Sequence, residues 1–177
     1  SGRHGAASLS SRARGAAHDV HGMRGDIMYP FRKILVAVDF EPASAGALDL
    51  ASGLALEYEA ELVVAHAVEL LIPSYPMALL PEVDDLERAA RDGLDHIVER
   101  VHAVWPRVSG ALLWGSAAEQ VIRYADDEQM DLVIVGTHRR KGPSRWLLGS
   151  VAEQVTRAAH VPVLTVHTDD PASAVHP

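Results

Sequence analysis

Five short apolar runs, Ile34–Val38, Leu62–Ala67, Val108–Leu113, Leu132–Val135 and Val163–Val166, recur along the chain with longer amphipathic stretches between them. Several of the runs do not alternate with polar residues, which predicts strands of a parallel sheet covered on both faces. Helices are predicted in the intervals. The first runs from about Ala43 to Tyr58, with Ser44 as its cap. The second, Glu82 to Val104, carries Leu86, Ala89, Ala90, Leu94, Ile97, Val98 and Val101 at helical spacing. Ala117–Asp127 and Val151–Ala159 supply two more. Strand alternating with helix implies right-handed crossovers. The fold class is therefore α/β: a single doubly wound five-stranded parallel sheet with helices on both faces, and any ligand belongs beyond the carboxyl ends of the strands.

Outside this pattern, residues 1–30 are rich in Ser, Gly, Ala, Arg and His without an apolar period, and read as a flexible extension. Residues 169–177 read as a tail, which leaves 31–168 as the domain. With 48% hydrophobic and 5% aromatic residues, Val, Leu, Ile and Ala must build its core. The net charge is −8, and the first thirty residues hold four Arg and two Asp, so the remainder stands at −10. A body of that charge repels nucleic acid and anionic membrane, and neither is expected as a partner. The absence of cysteine removes disulfides, thiol catalysis and thiolate metal sites. No apolar run approaches a membrane span or a signal peptide core, so a cytoplasmic protein is expected.

Candidate chemistry concentrates between Val133 and Glu153. There Gly136 ends an apolar run, a basic loop with Arg139, Arg140, Lys141 and Arg145 comes next, and Gly149-Ser150 opens a helix. Glycine lets a backbone approach a ligand, and the free N–H groups of a helix start attract anions, so this layout suits a phosphate cradle. The same residues also read as a capping box, with Ser150 capping the helix and Glu153 reaching back. The local pattern fits both. Gly115-Ser-Ala-Ala-Glu119-Gln-Val121 repeats the pattern of Gly149-Ser-Val-Ala-Glu153-Gln-Val155, and with unmatched flanks the two read as independent capping boxes.

The residues that succeed the strands exclude several mechanisms. The first strand leads into Asp39-Phe-Glu-Pro, so there is no dinucleotide fingerprint, and neither a Walker loop nor a Gly-x-Ser-x-Gly elbow occurs. A phosphorylation receiver needs an acceptor aspartate after the third strand, where Trp114-Gly115-Ser116 stands. Of ten histidines, His4, His18, His21 and His176 lie in the tails, and His96 and His102 fall six apart in a helix, so no metal site is expected. Asp39 reads either as a turn residue or as a ligand to ribose or a metal-bound phosphate. His66, on a buried strand, reads as a core histidine.

Three segments together carry a specific resemblance: Lys33-Ile-Leu-Val-Ala-Val-Asp39, Ala60-Glu-Leu-Val-Val-Ala-His66-Ala-Val-Glu69, and Gly136-Thr-His with Leu147-Leu-Gly149-Ser150-Val-Ala-Glu. Over about residues 31–168 the chain resembles the universal stress protein family. The resemblance implies an adenine nucleotide alpha hydrolase-like fold, a stress-response role and a homodimer paired through the last strand. It further implies ATP binding, with Mg through the phosphates and little or slow hydrolysis. The nucleotide-binding branch has Gly-x-x-Gly, nine residues, then Gly-Ser or Gly-Thr. By that frame Gly136, Gly149, Ser150 and the Val151 backbone would hold phosphates, Asp39 ribose or phosphate, and the Ala67 backbone adenine. Arg139 stands where the second glycine belongs, and its side chain either blocks the backbone approach or turns outward and pairs with phosphate. The alternative role is a nucleotide-free dimer acting as an interaction or chaperone-like protein.

Overall fold

The apolar run after Arg32 forms β1 (Lys33–Ala37), in which Ile34, Leu35 and Val36 are fully buried. An unbroken apolar sequence is stable here because successive side chains enter different cores. Ile34, Val36 and Val38 join one hydrophobic cluster, and Leu35 joins a second across the sheet. In the computed structural model, which describes residues 31–69, 81–138 and 149–168, the other strands are β2 (Glu61–Val68), β3 (Val108–Trp114), β4 (Leu132–His138) and β5 (Val163–Thr168). The helices are α1 (Pro42–Tyr58), α2 (Pro81–His102), α3 (Ala117–Asp127) and α4 (Ser150–Ala158).

All four strand pairings are parallel, in the order β3-β2-β1-β4-β5. The doubly wound α/β sheet expected from the sequence is thus observed. Because β2 and β4 flank β1 on opposite sides, the winding reverses at β1, which makes the ends of β1 and β4 the switch point beside which open α/β sheets place their ligands. Leu48, Ala51 and Ala55 of α1 and Leu94 and Val101 of α2 cover one face; Val121 and Ala125 of α3 and Ala152 and Val155 of α4 cover the other. At the opposite end of the sheet the Asp131 carboxylate accepts the N–H groups of Arg32 and Lys33 at 2.7 and 2.9 Å, tying the start of β1 to that of β4.

Two boundaries differ from expectation in ways that bear on the site. The fourth strand does not end at Val135: Gly136, Thr137 and His138 continue the ladder, opposite Val166, His167 and Thr168. Glycine does not interrupt it because β5 supplies backbone partners on that side. The first helix starts at Pro42 with Glu41 as its N-cap, and Ser44 sits in the first turn rather than capping it. Proline suits that position, since its missing N–H would lack a helical partner anyway.

Gly110, on the edge strand β3, lies directly under α2. A Cβ built there would approach Leu94 Cγ at 3.0 Å and Val98 Cγ2 at 3.2 Å. Gly110→Val is expected to overpack this contact and lower stability by roughly 1–3 kcal/mol. Urea unfolding checks it, and an unchanged midpoint would contradict the close packing of α2 on β3.

Candidate functional site

Three of the residues singled out in the sequence meet at the carboxyl edge of the sheet. The last paired row across its centre is Ala65, Ala37 and Val135. Ala67 and Asp39 lie two residues beyond that row on β2 and after β1, and Gly136 lies one beyond it on β4. Alternation along β2 turns Ala67 to the same face as Ala65, which packs in the α3–α4 cluster. The first turn of α4 is anchored on that face by Ala152. Asp39, Ala67, Gly136 and the Gly149-Ser150-Val151 helix start are therefore grouped around one end of the sheet. Arg139, Arg140, Lys141 and Arg145 lie outside the described residues.

The start of α4 is not a capping box. Gly149 is the N-cap, with φ −56° and ψ 149°, and no side chain among the described residues caps the helix. Ser150 is the first helical residue, and the Glu153 carboxylate pairs along the helix with Arg157 at 3.8 Å. The first intrahelical bond runs from Glu153 N–H to the Gly149 carbonyl at 2.9 Å. The N–H groups of Ser150, Val151 and Ala152 consequently have no partner among the described residues, as the geometry of a helix start requires unless something else supplies one. Gly149 is exposed, and a Cβ built on it would meet nothing within 4 Å. Among the described residues, neither its backbone nor its neighbours require glycine.

The sister pattern at Gly115 behaves differently. Ser116 is the N-cap of α3 but makes no side-chain cap bond. Instead Glu69, just past the end of β2, accepts the Ala117 N–H at 2.7 Å, placing a carboxylate at the positive end of the helix. Gly115 itself has φ +121°, a region that excludes side chains, so this glycine is a backbone requirement. Two nearly identical sequences thus give one helix start occupied by a carboxylate and one that meets no side-chain partner among the described residues.

Asp39 performs the turn role. Its Oδ1 accepts the Glu41 N–H at 3.0 Å and the Ser44 hydroxyl at 2.8 Å, and the same hydroxyl contacts the Glu41 carbonyl at 2.8 Å. This arrangement leads the chain from β1 into α1. Both bonds fall on one oxygen of an exposed carboxylate, so the turn role and a ligand role are compatible. His66 is half-buried, bonded through Nδ1 to the Val38 carbonyl at 2.9 Å and stacked on Phe40. That is the core role expected of it. Sequence reasoning missed Glu69, whose capping role leaves no local signal because its target is 48 residues away. It also missed Thr137, a buried residue at the end of β4 whose hydroxyl meets His167 Nδ1 and lies 3.5 Å from the Val166 carbonyl.

The model of the universal stress protein family matches residues 30–167 of this chain. Universal stress protein YxiE of Bacillus subtilis is 30% identical over 146 residues, covering 77% of this chain and 99% of that protein. Among solved structures, a protein from the universal stress protein family of Burkholderia pseudomallei is 30% identical with a TM-score of 0.59, over 78% of this chain and 98% of its own. The universal stress protein from Archaeoglobus fulgidus in complex with dAMP is 20% identical with a TM-score of 0.57, over 76% of this chain and 97% of its own. Among the described residues, no helix is long and apolar enough to cross a membrane.

Replacing Asp39 by alanine is expected to cost about 0.5–2 kcal/mol, the scale for losing a side-chain partner at a helix entry, whereas asparagine, which keeps an acceptor oxygen, restores most of it. Thermal melts of the two variants check this. Equal melting of Asp39→Ala and the parent would remove the turn role.

Proposed function

Since the chain belongs to the universal stress protein family, we propose that it is a cytoplasmic stress-response module that binds ATP at the carboxyl ends of β1 and β4, with little or slow hydrolysis. The observation that carries this reading is the uncapped start of α4. Three backbone N–H groups there lack partners among the described residues, beside an exposed glycine that none of the described residues requires. A phosphate would use both: the N–H groups as donors at the positive end of the helix, and the missing side chain as room to approach them. The dAMP complex of the Archaeoglobus relative supports an adenine nucleotide as the class of ligand.

In this reading Gly136, Gly149, Ser150 and the Val151 backbone hold phosphates, Arg139 turns outward to pair with them, and Mg bridges the phosphates. Asp39 meets ribose or phosphate through the oxygen not engaged in the turn, and the Ala67 backbone meets adenine. None of these groups is a poised general base, in keeping with slow turnover at most. The second proposal is a homodimer along β5. That strand lies at the sheet edge, where unpaired backbone groups favour addition of another strand, and its Leu164 is 37% exposed.

Calorimetry with Mg-ATP is expected to show binding, tighter than for AMP. Gly149→Val is expected to fold as the parent does and to lose that binding, because its branched side chain enters only the space a phosphate would use. Absence of heat with millimolar Mg-ATP would overturn the nucleotide reading and favour the nucleotide-free interaction role. For Arg139, pairing predicts that Arg139→Ala weakens binding by roughly 1–3 kcal/mol. If Arg139→Ala and Arg139→Gly both bind more tightly, the side chain obstructs the site instead. For the dimer, light scattering at micromolar concentration is expected to give twice the chain mass, reduced to a monomer by Val163→Glu or Leu164→Glu. A monomeric parent, or a dimer unchanged by both substitutions, would refute pairing through β5.

A further inference from the structure

A second concavity lies on the sheet face opposite α4. It is a solvent-open groove between α1 and α2 at the carboxyl end of β1, with a volume of about 220 Å³. Val38, Phe40, Leu48 and Ile97 supply its apolar surface. Phe40 is fixed there by its surroundings. Its backbone has φ 62°, its ring stacks on His66 with centroids 4.0 Å apart and planes 25° apart, and its tip lies 3.2 Å from where a Cβ on Gly93 would be. Although wedged between β2 and α2, Phe40 remains 42% exposed. A large apolar side chain is thus held in an uncommon backbone conformation and adds exposed ring surface to the wall of the groove.

The charged groups at the cavity limit what that ligand is. Glu41 and Asp49 stand on the α1 side and Arg100 on the α2 side. Among the described residues none of the three takes part in an ion pair, whereas Arg88, Arg91, Arg107, Arg123 and Arg157 all do. The Ser44 hydroxyl also borders the cavity, but it is engaged with Asp39 and the Glu41 carbonyl. Carboxylates on one side and a guanidinium on the other favour a molecule bearing both an ammonium and a carboxylate. An apolar cavity of roughly 150 Å³ is enough to take up benzene, so the space here suits one ring or a branched aliphatic group.

We propose that the α1–α2 cavity binds an apolar α-amino acid. Its side chain packs on Phe40, Leu48 and Ile97, its ammonium faces Glu41 and Asp49, and its carboxylate pairs with Arg100. The charged contacts are exposed and screened by water, so binding is weak and its selectivity comes from the combination of apolar body and paired charges. The proposal goes beyond the nucleotide reading and does not depend on it, since neither α4 nor the end of β4 contributes to the cavity.

The test is a titration of the full chain, with valine, leucine and isoleucine methyls labelled for NMR, using L-phenylalanine and L-leucine. Phenethylamine, which has only the cation, and 3-phenylpropionate, which has only the anion, serve as comparison ligands. Saturable shifts are expected at Val38, Leu48 and Ile97 with both amino acids, and at least about tenfold weaker binding of either single-charge analogue. Ala45→Trp, at an exposed position on the cavity wall, and Arg100→Gln are each expected to abolish or strongly weaken the shifts while the rest of the spectrum stays that of the folded parent. Absence of shifts with the amino acids would overturn the proposal. So would equal binding of the single-charge analogues, or shifts that persist unchanged in both variants. Mg-ATP titrated separately reports on the other site, so failure of one reading is distinguishable from failure of the other.

Discussion

The arrangement depends first on the burial of β1 between two helical layers and two parallel neighbours. Ile34 and Val36 enter the core under α1 and α2, and Leu35 enters the core under α3 and α4, all without measurable exposure. No other placement satisfies a strand that is apolar on both faces. Once β1 is central, its carboxyl end must lie between β2 and β4, and the residues at the carboxyl ends of those strands are brought together whatever their separation in sequence. Asp39, Ala67 and Gly136 are neighbours for this reason.

The two faces then diverge. On the α3–α4 face the informative element is backbone: a helix start at Gly149 without a partner among the described residues, set against the helix start at Ala117 that Glu69 occupies. Glu69 places a carboxylate on the Ala117 N–H, whereas no described residue accepts from the first N–H groups of α4. On the α1–α2 face the informative elements are side chains, since Phe40, Leu48 and Ile97 leave an apolar hollow flanked by charges of both signs. Asp39 and Ser44 join the two regions. Their hydrogen bond shapes the β1–α1 turn at the carboxyl end of β1, and Ser44 also lies beside the hollow.

The fold was legible because burial on both faces leaves a signature in the order of residues. Ile34–Val38 and Leu62–Ala67 are unbroken apolar runs, and Leu94, Ile97, Val98 and Val101 recur at helical spacing; each requires only local pattern to interpret. The candidate site was legible in part, through Gly136, Gly149 and Ser150 within one segment. Its limits were set by pairing. Nothing local told that Gly136 would lie within β4, because the bonds that extend the strand come from Val166, His167 and Thr168 of β5.

The sequence by itself determined the number, type and order of the elements and the parallel two-faced core, through periodicity, and the family, through the resemblance of its motif segments; all of these are properties of the linear chain. Only the tertiary structure decided what each helix start would bind. Gly115-Ser116 and Gly149-Ser150 are almost the same words, yet one meets a carboxylate brought by β2 and the other meets none among the described residues. Likewise, Phe40 and Ile97 are far apart in the chain and border one cavity only because α1 and α2 pack on the same face of the sheet. Propensity is encoded residue by residue, whereas a partner at a distance exists only after the sheet has set its register.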